Sequence, residues 1–125
     1  MIDTISDMLT RIRNANLLKH TNVKIPSTKI SKKIAQILQN EGFIYNIQQS
    51  ETNLIIKLKY IENIPVISGI KRVSKQGLRQ YFSPKKRPMY LGNFGIAVIT
   101  TSQGLMTNVK ACNLGIGGEI LFYIW

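Results

Sequence analysis

The sequence has little of the side-chain chemistry on which enzymes and metal sites depend. Its 125 residues include one cysteine, one histidine and six acidic residues. The single cysteine, Cys112, allows no internal disulfide, which is typical of a chain in a reducing compartment. One histidine and one cysteine cannot supply the nitrogen and sulfur ligands of a zinc site. We therefore expect neither a metal nor a cofactor.

Long apolar runs are also missing. No stretch approaches the roughly 20 apolar residues that a membrane-spanning helix needs. Residues 1–7 carry two acids and no base, which is unlike a signal peptide or a transit peptide. We therefore expect no membrane association and no targeting segment at this end.

Positive charge is the most prominent feature that is present. Lys and Arg total 17 against 6 for Asp and Glu, which gives a net charge of +11. Hydrophobic residues make up 44%, enough to form a core, so the chain is expected to fold despite its charge. A charge this large on a small domain indicates a polyanionic partner, and nucleic acid fits better than a membrane surface.

Residues 1–62 are predicted to form a lobe of two helices on a small sheet. Helical spacing predicts a first helix over about 4–16. The apolar residues with this spacing are Ile5, Met8, Leu9, Ile12 and Ala15. Alternation predicts a β-hairpin with strands at 43–47 and 54–60.

The second helix is predicted to begin after Ser27 or Thr28 as N-cap and to end at Gly42. Its buried stripe is predicted to consist of Ile30, Ile34, Ile37 and Leu38. Three lysines in its first turns, at 29, 32 and 33, oppose the helix dipole. Because this placement is unfavourable for the helix, it indicates that these cations have a positional role and are not simply exposed to solvent.

Residues 63–125 are predicted to form a second lobe that is mostly β with short helical turns, so the fold class is α+β. Strands are predicted at 96–99 and 119–125, with a helical turn at 108–113. This half holds eight bases and one acid, for +7, against +4 for residues 1–62. Seven of the eight bases lie between 71 and 87.

The stretch "ITTSQG" in the second half could hold a nucleophile, bind phosphate or ribose, or simply turn a hairpin. Thr100, Thr101 and Ser102 precede a turn that includes Gly104. A hydroxyl nucleophile needs a nearby base, and the one histidine, His20, lies in the other lobe, so catalysis is not expected. Hydroxyls and backbone N–H groups on a tight turn suit phosphate and ribose oxygens. A plain hairpin turn has the same composition, and these residues alone leave both interpretations open.

Other residues of this half also have alternatives. Tyr81, Phe82 and Tyr90 either stack on unpaired bases or belong to the core. Glu119 either pairs with a neighbouring base or accepts hydrogen bonds from ribose or a nucleobase edge. The main rival interpretation of the whole chain is a free-standing basic module that binds DNA or an acidic protein partner. For DNA, the recognition helix would be the second helix, with Gln36 beside the lysines, which is a weak signal.

Five segments occur in one order and at matching spacing across the chain: "DMLTRIRNA", "IPSTK", "NEGFI", "IKRVSKQGLRQY" and "GIAVITTSQGLMT…GIGGEILFYIW". Over essentially the whole chain they resemble the small-subunit ribosomal protein eight family in its bacterial and plastid form. The resemblance implies a structural constituent of the small ribosomal subunit without catalytic activity. It also implies direct binding to an irregular helix in the central domain of 16S-type rRNA, early in assembly.

The resemblance further implies where the protein acts and beside what. Family members are monomers within the ribosome and lie beside other small-subunit proteins, notably number five. The "YIW" ending is similar to plastid members, so a plastid stroma is favoured and a bacterial cytoplasm is the alternative. Bacterial members also repress their own messenger RNA.

The candidate RNA-binding residues come from both lobes. Those of the second lobe are Thr100, Thr101, Ser102, Gly104, Glu119, Lys85, Lys86 and Arg87. Those of the first lobe are Ser27, Thr28, Lys29, Thr4 and Arg11. Gln103 stands where the family commonly has lysine, which removes one cation from the loop.

Overall fold

The computed structural model describes residues 4–84 and 95–125. The chain divides into two compact units, Met1–Ser68 and Gly69–Trp125. Both combine helices with antiparallel sheets, so the predicted α+β class is confirmed. The functional lobes 1–62 and 63–125 stay a prediction. Hydrogen bonds such as Asn16 Nδ2 to the Ile67 carbonyl, at 2.9 Å, hold the residues just after 62 against the first unit.

Two amphipathic helices form one layer of the first unit. α1 spans Thr4–Leu17 and α2 spans Lys29–Asn40, close to the predicted bounds. Of the five apolar residues predicted for the stripe of α1, four are buried and Ile5 is half-buried. The chain turns after α2 at Gly42, whose φ of 83° lies in the left-handed region.

The predicted stripe of α2 is partly wrong. Ile30 is 44% exposed and Ile37 is only half-buried. The buried residues are instead Ser31, Ile34, Ala35 and Leu38. They follow the i, i+3, i+4, i+7 spacing from Ser31, a face that contains two small residues. The sequence pattern weighted large apolar side chains and therefore missed this face.

The sheet of the first unit has three antiparallel strands in the order β1, β3, β2. β1 is Asn22–Pro26, β2 is Ile44–Gln49 and β3 is Asn53–Leu58. The last two form the predicted hairpin. Both helices contact this sheet, α1 against β1 and α2 against β2.

A small second hairpin follows in the same unit. β4, Tyr60–Ile61, pairs with β5, Ile64–Pro65. Glu62 and Asn63 between them have φ values of 52° and 64°, which suits a two-residue hairpin turn. In sequence, Pro65 and Gly69 give this stretch the composition of a linker or lobe boundary, so the pattern does not predict its two short strands.

The second unit is built on one antiparallel sheet with a short helix. Along the chain the elements are β6 Ile70–Arg72, β7 Tyr81–Phe82, β8 Ile96–Thr101, β9 Gly104–Thr107, α3 Asn108–Leu114 and β10 Gly118–Ile124. The strand order is β6, β10, β8, β9, and β7 also pairs with β10. The core between them contains Phe82, Ala97, Ile99, Met106, Ala111, Ile120 and Tyr123. In the described part of the chain, no helix is long and apolar enough to cross a membrane.

Candidate RNA-binding surface

The β8–β9 hairpin presents the hydroxyl-rich loop. Thr101 pairs with Gly104, so Ser102 and Gln103 form its tip. The Thr101 hydroxyl donates to the Gly104 carbonyl at 2.9 Å and accepts from the Gln103 N–H at 3.1 Å. Gly104 has a φ of 107°, a conformation that favours glycine. Thr101 and Gly104 therefore fix the shape of the turn.

The other two hydroxyls of the loop are available to a ligand. Ser102 is exposed at the tip, and Thr100 is half-buried on β8. Neither hydroxyl has a partner among residues 4–84 and 95–125. Short hydroxyl side chains lose little rotamer entropy when they bind, so they can position a ligand at low cost.

A row of three side chains crosses the sheet beside this loop. Glu119 on β10 is paired directly with Thr100 on β8 and with Tyr81 on β7. Directly paired residues of antiparallel strands point to the same face. The strand register therefore places a hydroxyl, a carboxylate and a phenol next to one another. All three residues are recognisable in the sequence, but no local pattern indicates their alignment.

The carboxylate of this row is held by a cation. Arg79 Nη1 lies 2.8 Å and 3.2 Å from the two carboxylate oxygens of Glu119. The Glu119 side chain is 17% exposed and that of Arg79 is 54% exposed. Of the two alternatives for Glu119, pairing with a neighbouring base is confirmed, and a hydrogen bond from ribose or a nucleobase edge stays a prediction. Arg79 was not a candidate, although the lone acid of a basic half is a signal for such a pair.

Two glycines bring the strands of this site close together. A Cβ on Gly118 would lie 2.2 Å from the Thr100 carbonyl oxygen. A Cβ on Gly117 would lie 2.6 Å from the Phe82 carbonyl oxygen. Real Cβ atoms do not approach backbone this closely, so only glycine fits. At the segment "GIGGE", the chain entering β10 therefore lies unusually close to the backbone of β7 and β8.

The aromatic residues of the second half divide between surface and core. Phe82 is buried at 7% exposure, whereas Tyr81 is 72% exposed beside Glu119. The core interpretation is therefore correct for Phe82, and Tyr81 has a ring open to solvent. Tyr90 lies outside the described residues, as do Lys85, Lys86 and Arg87. Lys75 and Lys110 are exposed in the same unit.

In the first unit, the turn before α2 uses its hydroxyls for its own structure. Thr28 is the N-cap of α2, and its hydroxyl accepts from the Ser31 N–H at 3.0 Å. The Ser31 hydroxyl accepts from the Thr28 N–H at 2.8 Å, which completes a capping box. The Ser27 hydroxyl accepts from Gln49 Nε2 at 3.0 Å. Thr28 is therefore a structural cap, and Lys29 beside it is exposed.

The remaining candidates of the first unit lie on α1. Arg11 Nε donates to the Asp7 carboxylate at 3.0 Å, and Arg11 Nη1 donates to the Lys24 carbonyl at 3.2 Å. The guanidinium is thus partly engaged within the unit, which reduces its availability to an anion. Thr4, the first residue of α1, is half-buried. Arg11 therefore contacts β1. Among the described residues, no hydrogen bond joins it to the turn at 27–29.

In the described part of the chain, no three His, Cys, Asp or Glu side chains come together where they would hold a metal ion. The surface that the structure does provide consists of hydroxyls, backbone groups, an exposed tyrosine and scattered ammonium groups. These are groups that contact phosphate, ribose and unpaired bases.

Comparison with known proteins identifies the family. The family model described as Ribosomal protein S8 matches residues 3–125. A small ribosomal subunit protein uS8c of Phaeodactylum tricornutum is 57% identical, and one of Trieres chinensis is 59% identical, each alignment covering 98% of both chains. A small ribosomal subunit protein uS8 of Nostoc punctiforme is 50% identical over 98% of this chain and 97% of its own. The resemblance drawn from the five sequence segments is confirmed. The chain belongs to the ribosomal protein S8 family, a family of small-subunit ribosomal proteins that have a structural role and are not enzymes.

Proposed function

We propose that the protein binds the central domain of 16S-type small-subunit rRNA directly and early in assembly. It clamps an irregular RNA helix there as a monomer and catalyses nothing. The β8–β9 loop, with Thr100 and Ser102, and the neighbouring Glu119 meet the RNA core. The proposal combines the family membership with the chemistry of this surface.

The geometry of Ser102 is the observation that carries this proposal. Thr101 and Gly104 bond to each other and shape the turn, which leaves Ser102 exposed at its tip. Its hydroxyl has no partner among the described residues. A rigid turn with an unused hydroxyl at its tip suits recognition of an RNA groove by shape and ribose contact.

The charge distribution supports the same proposal. Residues 63–125 carry +7, so the half that holds the loop attracts the phosphate backbone. The cations supply affinity that depends on salt, and the hydroxyls set the register of the protein on the RNA. Lys85, Lys86 and Arg87 are proposed as phosphate contacts from the sequence alone.

The first unit is proposed to make a second rRNA contact at the turn before α2. Lys29 is exposed there, next to the Thr28 cap. Ser27 and Thr28 are proposed to belong to the same contact, and their internal hydrogen bonds hold the turn that presents Lys29. Thr4 and Arg11 are proposed as peripheral contacts of the same unit.

The family membership supports a proposal about neighbours and location. We propose that the protein lies beside other small-subunit proteins, notably number five. A plastid ribosome in the stroma is favoured, because the two uS8c proteins named above are more similar to the chain than the cyanobacterial uS8 is. A bacterial cytoplasm is the alternative.

The test of this proposal is the substitution Ser102→Ala, with Ser68→Ala as the matched control. Ser68 is another exposed serine whose hydroxyl has no partner among the described residues. Affinity for the central-domain rRNA helix is measured by filter binding at several salt concentrations. Loss of the Ser102 hydroxyl is expected to cost about 1–2 kcal/mol with an unchanged salt slope, because one hydrogen bond and no charge is removed.

Either variant can contradict the proposal. If Ser102→Ala binds the rRNA helix as tightly as the unaltered protein, the loop does not read the RNA. If Ser68→Ala weakens binding equally, the effect belongs to no particular loop. Thermal unfolding of both variants checks that the fold is unchanged.

A further inference from the structure

The three-stranded sheet of the first unit has one face that is not buried. Side chains alternate along β1, where Val23 and Ile25 are buried and Asn22 and Lys24 are exposed. The register aligns Asn22 with Lys57 and Lys57 with Asn46, and it aligns Lys24 with Ile55 and Ile55 with Gln48. These rows lie opposite the face that contacts the helices. We call the open sheet face the surface formed by Asn22, Lys24, Tyr45, Asn46, Gln48, Lys57 and the half-buried Ile55.

An aromatic ring lies on the open sheet face. Tyr45 is 62% exposed, and Lys57 Nζ lies 5.0 Å from the centroid of its ring. The pairing of β2 with β3 shifts register between Ile44 and Asn46, so Tyr45 occupies an irregular position in the strand. The cation–π contact with Lys57 restrains the ring without covering most of it.

The charge of the open sheet face has one sign. Lys24 and Lys57 are its ionised groups, and both are exposed. Asp7, Glu41, Glu51 and Glu62, the acids of this unit within the described residues, lie in α1, at the end of α2 or in turns. The face therefore combines ammonium groups, amide side chains and an aromatic ring, with no carboxylate to repel an anion.

We propose that the open sheet face is a binding site for single-stranded RNA, in which an unpaired base stacks on Tyr45. Every nucleobase offers a π-face, and stacking on an exposed aromatic ring is a common basis for binding single strands. Lys24 and Lys57 contact the phosphates. Asn46 Oδ1 already accepts from the Ile47 N–H at 2.8 Å, so Asn46 offers its Nδ2 donor to base edges, and Gln48 offers both groups of its amide. An acidic peptide would pair with the two ammonium groups but would make no use of the exposed ring.

This site is distinct from the proposed rRNA contact of the β8–β9 loop in its residues and in the RNA that it binds. It lies in the first unit and takes unpaired nucleotides, whereas the loop is proposed to read a folded RNA helix. We expect it to bind a nearby single-stranded segment of RNA weakly and with little dependence on sequence. Failure of one proposal does not imply failure of the other, because the two are tested with different RNAs.

The test uses the full chain and a fluorescein-labelled octamer of uridylate, followed by fluorescence anisotropy over a salt series. We expect Tyr45→Ala to weaken octamer binding about tenfold with an unchanged salt slope, since stacking and not charge is lost. Tyr45→Phe keeps the ring and is expected to bind within about twofold of the unaltered protein. Lys57→Gln is expected to lower the salt slope by roughly 0.7, the value for one phosphate contact on a single strand.

Ile61→Ala is the control for loss of an exposed apolar side chain in the same unit, where Ile61 is 61% exposed. It is expected to leave octamer binding unchanged. The proposal is overturned if Tyr45→Ala binds the octamer as the unaltered protein does. It is equally overturned if an oligoglutamate peptide of matched charge displaces the octamer as well as unlabelled octamer does, because the face then responds to charge alone.

Discussion

Arg79 and Glu119 are 40 residues apart in sequence and form an ion pair in which one guanidinium nitrogen contacts both carboxylate oxygens, at 2.8 Å and 3.2 Å. Glu119 is the single acid of residues 63–125. Its carboxylate also lies in the row that joins Thr100 and Tyr81 across the sheet. The pair therefore fixes the one negative group of a surface that is proposed to meet RNA.

We expect this pair to show a modest favourable coupling. Arg79→Gln, Glu119→Gln and the double variant form a cycle, and urea unfolding gives the free energy of each. The coupling is expected to be about 0.5–1 kcal/mol, because the pair is partly exposed and screened by solvent. Additive effects of the two substitutions would show that the ion pair contributes no coupling free energy in solution.

Thr28 is expected to contribute to stability through its cap. Thr28→Ala removes the side-chain acceptor for the Ser31 N–H and should cost about 1 kcal/mol of the free energy of unfolding. Thr28→Ser retains the acceptor and should lower the free energy of unfolding by only about a few tenths of a kcal/mol. Urea unfolding of both variants checks this expectation. Equal losses for alanine and serine would mean that the threonine methyl group, and not the cap, is what matters.

Gly118 is expected to tolerate no side chain. Gly118→Ala places a methyl group against the Thr100 carbonyl oxygen, 2.2 Å away, so β8 and β10 must separate. The loss in the free energy of unfolding is expected to be about 2 kcal/mol or more, measured by urea unfolding. Gly115→Asn is the control, because Gly115 has a φ of 71° with open space around it, and asparagine adopts that conformation. A Gly118→Ala protein as stable as the control would contradict the close approach of β8 and β10 at this glycine.

Tyr60 gives a prediction for alkaline pH. Its hydroxyl donates to the His20 carbonyl at 2.6 Å, and burial raises the pKa of Tyr60 above its usual value of 10.0. The folded chain therefore holds this proton more tightly than the unfolded chain does. The resulting stability is complete below pH 10 and declines as the pH rises from there through the pKa of the folded state.

The variant Tyr60→Phe isolates this effect. It is expected to be less stable than the unaltered protein at neutral pH, by about 0.5–1 kcal/mol for one exposed hydrogen bond. The difference between the two proteins should shrink above pH 10, the usual pKa of tyrosine. Thermal unfolding at a series of pH values measures it, and a difference that stays constant would argue against a role for the Tyr60 proton.

Local pattern was sufficient to predict most of the elements. The stripe of α1 and the β2–β3 hairpin follow from periodicities of 3.6 and 2, which depend only on neighbouring residues. The prediction failed where small or polar residues determine packing, as with Ser31 and Ala35 on α2. It also failed for the β4–β5 hairpin, because strands of two residues carry too little pattern to detect.

The candidate site was predictable in its residues but not in its arrangement. Thr100, Thr101 and Ser102 were recognisable as a hydroxyl-rich turn. Only the fold distinguishes the structural role of Thr101 from the hydroxyl of Ser102, which has no partner among the described residues. The row from Thr100 to Tyr81 depends on pairing between distant strands. That register includes a shift on β10 between Ile120 and Phe122, for which the sequence has no signal.

The most direct test of the central claim is the affinity of the protein for the central-domain rRNA helix across a salt series, with duplex DNA and an unrelated RNA hairpin beside it. We expect the rRNA helix to bind about 10³-fold more tightly at moderate salt, in the manner of a specific site. If all three nucleic acids bind alike with the same salt slope, only the charge of +11 is acting, and specific recognition by the β8–β9 loop is contradicted.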